Sequence, residues 1–200
     1  MLEENRDASG VVSLMEESGA VLSGHFVLSS GLHSARYIQC ALLLELPARA
    51  EVVGRKLGAL VEEMLGPSAV DVVASPAIGG LIIGHETARA LGTRFVFAER
   101  AEGAMKLRRG FGIKKGERVL VVEDVVTTGG STKEVMQAVS AQGGRVVGVG
   151  AVVNRGGTVE FGVPFAHLVR AEIDNYSPET CPMCKADMPV TKPGSRQGQG

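Results

Sequence analysis

Val119-Leu-Val-Val-Glu-Asp-Val-Val-Thr-Thr-Gly-Gly-Ser-Thr132 reads as a buried strand running into the start of a helix. Residues 119–122 are apolar and mostly β-branched, which suits a strand buried on both faces. Two adjacent carboxylates follow, Glu123 and Asp124, and then Val125 and Val126. Thr127, Thr128, Gly129, Gly130 and Ser131 supply closely spaced backbone N–H groups and hydroxyls where the helix opens. Unpaired N–H groups and the helix dipole favour an anion there. Gly129 and Gly130 let the backbone approach phosphate oxygens closely. No Lys-Ser or Lys-Thr pair follows the glycines, so this is not a Walker A loop. In the dinucleotide fingerprint the glycines directly follow the strand and the acid comes much later. Here the acids precede the turn by a few residues, within reach of the ribose of a ligand whose 5′-phosphate occupies the turn. The plainer alternative is an ordinary strand–loop–helix with a Ser/Thr cap.

Outward from this stretch, apolar strands alternate with helical patterns. Strands are predicted at 70–74, 95–98, 119–122, 145–153 and 165–170, with helices at 80–91 and 130–142. Such alternation predicts an α/β fold, a mainly parallel sheet flanked by helices. Pro47 suits the first turn of a helix over 47–65, which Gly66-Pro67 ends. A short helix over 10–19 and a hairpin-like element over 25–39 lie outside the alternation and predict a small N-terminal hood. The expected division is 1–45 for helix and hood, 46–172 for the core, and 173–200 for a loop-like tail, disordered over 192–200.

Residues 99–117 separate two strands with no helical pattern and carry Arg100, Lys106, Arg108, Arg109, Lys114 and Lys115. A long loop in a compact domain is functional or disordered.

Composition narrows the function. The 200 residues carry a net charge of −1, which implies no general affinity for nucleic acid or membrane surfaces. Trp is absent and aromatics make up 4%, against a stacking-based single-strand binder. No run is apolar and long enough to span a bilayer, and the polar, acidic N-terminus is no secretory signal. Three cysteines, Cys40, Cys181 and Cys184, make no disulfide framework, so a cytoplasmic location is expected.

The Glu-Asp-to-Thr-Gly-Gly-Ser stretch resembles the phosphoribosyl-pyrophosphate motif of type I phosphoribosyltransferases. Phe26-Val-Leu-Ser-Ser-Gly-Leu-His-Ser34 resembles an N-terminal element of the orotate phosphoribosyltransferases, although Ser29 stands where some relatives carry a lysine. Ser75-Pro-Ala-Ile-Gly-Gly80 sits where that family has its pyrophosphate loop. Asn154-Arg155-Gly156 sits where it places an arginine for the orotate carboxylate. The resemblance spans most of residues 20–160.

It implies transfer of ribose 5-phosphate from phosphoribosyl pyrophosphate to orotate, with Mg²⁺ held mainly by substrate and water. Glu123 and Asp124 would hold the ribose hydroxyls, Thr127 to Ser131 would grip the 5′-phosphate, and Val125 and Val126 would complete the phosphoribosyl-pyrophosphate site. Ala77, Ile78 and Gly79 would take pyrophosphate, and Thr127 and Arg155 would meet orotate. It also implies a homodimer in which the 99–117 loop closes over the neighbouring subunit's site, with Arg100 and Lys106 as candidate catalytic cations. Departures from the family's loop pattern at Glu99-Arg100 and over 103–110 leave that cation's identity open.

Each assignment has a plainer counterpart: a strand-to-helix turn at 75–80, a surface residue at Arg155, a solvated loop at 99–117. Tyr37 or Ile38 would line the base pocket or simply pack. Cys181 and Cys184 have metal-ligand spacing but supply only two of the four ligands zinc wants, unless two chains combine. The four histidines show no ligand spacing and are expected to be structural or at the surface. Two other functions compete: a phosphoribosyltransferase for another base, and a non-catalytic regulator that senses the sugar pyrophosphate or binds RNA.

Overall fold

The computed structural model describes residues 1–5, 8–28 and 30–192. In chain order the elements are β1 (Leu2–Glu4), α1 (Val11–Glu17), β2 (Val21–Val27), β3 (His33–Ile38), α2 (Cys40–Leu44), α3 (Pro47–Leu65), β4 (Val72–Pro76) and α4 (Gly80–Leu91). There follow β5 (Arg94–Ala101), β6 (Ala104–Leu107), β7 (Arg118–Val126), α5 (Gly130–Ala141), β8 (Arg145–Asn154), β9 (Phe165–Ala171), β10 (Asn175–Tyr176) and α6 (Pro182–Lys185).

The main sheet has the order β1-β9-β8-β7-β4-β5-β6. The five strands from β9 to β5 run parallel, and β1 and β6 add antiparallel edges. Their interior residues are buried on both faces, as the unbroken apolar runs require. One face packs Leu120, Val122 and Val73 against Leu57 and Val61 of α3 and Ile83 of α4. The other packs Val119, Val121 and Val72 against Val135 and Val139 of α5. The hood is a second sheet, order β10-β3-β2, whose strands are all antiparallel.

Several expectations change. β7 runs to Val126, so Glu123 and Asp124 lie within the strand and not beyond its tip. Residues 99–107 are no open loop: β5 continues to Ala101 and turns back as β6. β1 and α2 were not foreseen. The tail from Glu172 is ordered through β10 and α6, and Thr191 lies beside Phe26 of the hood. Cys181 and Cys184 do not wait for a second chain, since His25 and His33 of the same chain surround them. Those two histidines are buried and not at the surface, and they cluster with the cysteines although their spacing in sequence gave no sign of it. The stretch over 192–200 expected to be disordered lies, beyond Lys192, outside the described residues, as does Ser29.

Helix α3 begins with Pro47 at its first turn and meets α4 through Gly54 and Gly58. A Cβ on Gly54 would sit 2.5 Å from Cβ and 2.8 Å from the backbone carbon of Glu86. The neighbour there is helix backbone, which cannot swing aside. Gly54→Ala is therefore expected to separate the helices and cost about 1–3 kcal/mol, despite the better helix propensity of alanine. Thermal melting checks this: an unchanged or raised Tm contradicts the packing argument.

Candidate active site

The C-terminal ends of β4, β7 and β8 lie side by side, the usual place for ligands in open α/β sheets. A cavity of about 950 Å³ opens between these ends and the hood. The core contributes Asp124, Thr127, Thr128, Lys133 and Arg155, and the hood contributes Leu28, Tyr37 and Gln39.

Strand alternation sends Glu123 and Asp124 to opposite sides of β7. Asp124 is partly exposed, lines the cavity, and accepts a 2.9 Å hydrogen bond from the N–H of Val125. Glu123 is 8% exposed and does not line the cavity. Burial, then the charge of Asp124 and a hydrogen bond between the two groups, push the Glu123 carboxyl from 4.5 up to about 9. A hydrogen bond with buried Thr132, in the first turn of α5, offsets part of that rise. Glu123 thus holds its proton far more tightly than an ordinary glutamate, and Asp124 is the carboxyl of the pair that lines the cavity.

Three glycines fix the surrounding loops. Gly129 precedes α5 at φ 75°, and a Cβ there would strike Phe161 at 2.8 Å. A Cβ on Gly156 would lie 1.6 Å from the Thr127 carbonyl oxygen, so the β8 turn rests directly on the Thr-Thr turn. A Cβ on Gly79 would lie 2.7 Å from Asp124 Oδ1, which sets the Ala77-Ile78-Gly79 loop against that carboxylate. The N–H groups at the start of α5 face the turn that Thr127, Thr128, Gly129, Gly130 and Ser131 form, a fit for phosphate.

Arg155 is the cavity's principal cation. Its Nη2 donates to Ser34 Oγ at 2.9 Å and Asn175 Oδ1 at 3.0 Å, which aims the side chain from β8 into the hood. Its Nε is buried with no partner. Among the described residues no carboxylate pairs with it, and burial holds its pKa below the ordinary arginine value. A half-buried guanidinium with a spare N–H calls for an anion. Burial and the charge of Asp124 raise Tyr37, while Arg155 pulls it down, so the three groups share one field.

The remaining predicted residues are placed differently. Arg100 pairs with Glu134 of α5 at 3.0 Å and donates to the Gly103 carbonyl. Lys106 pairs with Glu102, and neither cation lines the cavity of its own chain. Sequence reading missed Lys133, whose Nζ lies 5.9 Å from the centre of the Phe161 ring. A signal existed: a lysine in a helix's first turn opposes the macrodipole unless an anion sits there. Asn175 was missed because nothing local ties residue 175 to residue 155.

Residues 41–162 match the family model described as the phosphoribosyl transferase domain. The chain is 52% identical to the orotate phosphoribosyltransferase of Pelotomaculum thermopropionicum, over 94% of this chain and 97% of that protein. It is 50% identical to that of Thermotoga maritima, over 93% and 98%. Among solved structures, the orotate phosphoribosyltransferase from Aeropyrum pernix superposes with a TM-score of 0.64 at 28% identity, covering 78% of this chain and 93% of that one.

The buried acid has a measurable consequence. Between about 4.5 and about 9 the folded chain keeps a proton on Glu123 that the unfolded chain has lost. The folded state binds more protons there, so this group's contribution to stability falls as pH rises through that window. Glu123→Gln is expected to remove the fall, its Tm gaining on the parent's as pH approaches 9. Tm–pH curves that run parallel would show that Glu123 is already ionised.

Proposed function

The chain belongs to the phosphoribosyltransferase family and, within it, to the orotate phosphoribosyltransferases, and from that membership we propose how its own residues carry the reaction. The reaction joins orotate to the ribose 5-phosphate of phosphoribosyl pyrophosphate, giving orotidine 5′-monophosphate and pyrophosphate. The observation that carries the assignment is the anion-deficient Arg155 in the cavity wall. Its planar fork matches the orotate carboxylate, a group that adenine, guanine and xanthine lack.

The lone pair of orotate's N1 forms a bond to the anomeric carbon as the bond from that carbon to pyrophosphate oxygen breaks. The electrons of the broken bond leave with pyrophosphate. Positive charge gathers on the ribose ring in between, so catalysis rests on position and electrostatics. Asp124 accepts hydrogen bonds from the ribose hydroxyls and stabilises the cationic sugar. Neutral Glu123 holds Asp124 in place and spares the incoming phosphates a second repulsive charge. The turn over residues 127–131 takes the 5′-phosphate, with Lys133 beside it, and the 77–79 loop takes pyrophosphate next to Asp124.

The donors fit Mg²⁺: Asp124 offers a hard oxygen at the edge of a cavity roomy enough for water and substrate oxygens to complete the shell. When bound, Mg²⁺ would neutralise charge on the pyrophosphate. Arg100 and Lys106 sit exposed in a hairpin outside their own chain's cavity, which suits service to the partner's site in a homodimer. Exposed ion pairs such as theirs are worth little, so a pyrophosphate can displace Glu134 and Glu102. The three free thiols suit a reducing cytoplasm, and no described helix is long and apolar enough to cross a membrane.

A Mg²⁺-dependent assay with phosphoribosyl pyrophosphate and a panel of bases tests the reading: turnover of orotate alone is expected, and preference for a purine contradicts it. Asp124→Asn should lower kcat by about 10²–10³-fold with little change in Tm. Unchanged orotidylate formation would sink the ribose role. Arg155→Lys keeps the charge but loses the fork. It should raise the KM for orotate by about 30-fold or more and leave that for phosphoribosyl pyrophosphate nearly unchanged. Equal effects on both would contradict a carboxylate role for Arg155.

A further inference from the structure

We propose that His25, His33, Cys181 and Cys184 form a zinc site that staples the C-terminal segment onto the hood. One ligand atom from each residue lies within 4.8 Å of every other, and three of the four residues are buried. Cys181 caps the N-terminus of α6 and Cys184 lies within its single turn, while His25 lies on β2 and His33 on β3. Four ligands therefore converge from three elements of one chain, far from the carboxylates of β7 in sequence.

The hydrogen bonding is what makes a metal necessary. Nδ1 of His25 lies 2.8 Å from the Met188 carbonyl oxygen, which can only accept, so Nδ1 carries a proton. In the neutral ring Nε2 then offers one lone pair. Three groups crowd it: His33 Nδ1 at 2.8 Å and the sulfurs of Cys181 and Cys184, both at 3.6 Å. Cys184 Sγ also lies 3.2 Å from His33 Nδ1. A single lone pair cannot satisfy three neighbours, whereas one cation at their centre satisfies all four ligands together.

The spacing agrees. Tetrahedral zinc with ordinary Zn–N and Zn–S bonds keeps its ligand atoms roughly 3.3–3.8 Å apart. The two sulfur contacts of His25 and that of His33 fall at or beside that range, and the two nitrogens would part by roughly half an ångström on metal entry. Two thiolates and two imidazoles select zinc over the oxygen-seeking Mg²⁺. The His25 Nδ1–H to Met188 carbonyl bond is the outer support that orients a metal-bound imidazole. Binding releases the two thiol protons, so two thiolates balance the dication and the buried cluster is neutral.

The staple has a definite load. Between Asp174 and Thr191 the chain is fixed to the hood: Ser34 Oγ donates to the Asp174 carbonyl, β10 pairs with β3, and Thr191 exchanges backbone hydrogen bonds with His25 and Val27. Ser34 and Asn175, in the same segment pair, accept from Arg155. Zinc thus braces the wall that supports the cavity's cation without touching the cavity.

The test uses the full chain, reduced and freed of metal, titrated with Co²⁺ in the absence of oxygen. Visible bands of tetrahedral cobalt and a near-ultraviolet thiolate-to-metal band should grow together, saturate at about one Co²⁺ per chain, and vanish when zinc is added. The C181S/C184S double variant should show neither band. Absent bands in the parent, or bands that persist in the variant, overturn the proposal. Alkylation of the unaltered parent does not depend on the variant folding. Zinc should protect two thiols from reagent, and identical rates with and without zinc would mean that the four side chains merely hydrogen-bond to one another.

Discussion

Neighbouring residues of a β-strand face opposite ways, and that constraint shapes the whole site. Glu123 and Asp124 cannot both look into the cavity from β7. One is presented and the other is driven beneath the sheet against Thr132, where an ionised carboxylate would be expensive. Keeping the proton resolves the conflict. The buried acid stays close to neutral, and the open face presents Asp124 alone. A ligand bearing several phosphates would be repelled by two.

The loops obey the same economy of space. Each strand end must approach the carboxylate pair or the turn beyond it, and at each approach the side chain has been removed. Gly79 rests against Asp124, and Gly156 rests against Thr127. Because Gly156 brings the end of β8 so close to β7, Arg155 emerges beside the phosphate turn, and its backbone N–H reaches the Val126 carbonyl at 2.7 Å. The hood and the C-terminal segment then supply Ser34 and Asn175 to fix the guanidinium. The setting of this guanidinium is thus assembled from both ends of the chain.

Much of this was legible in the sequence where the signal is local. The apolar runs of β4, β7 and β8, Pro47 opening α3, and the acid-to-turn spacing each depend on a few consecutive residues. The sequence did not disclose which carboxylate would be buried, because that needs the length of β7 and the position of α5. Nor did it disclose that His25 and His33 belong with Cys181 and Cys184, since some 150 residues separate the two pairs and the hood alone brings them together. The loop over 99–117 was misjudged for another reason. Its cations were noticed, but Glu99 and Glu102 lie in the same segment and pair with Arg109 and Lys106, which closes the hairpin.

The site depends above all on Glu123 holding a proton beneath β7 while Asp124 faces the cavity. The most direct measurement is carbon-detected NMR of the ligand-free protein labelled at its glutamate side-chain carboxyls, with the Glu123 resonance assigned by its loss in Glu123→Gln. A signal at the position of a protonated acid at neutral pH, titrating near 9, is expected. A Glu123 resonance that titrates near the ordinary 4.5 would contradict it.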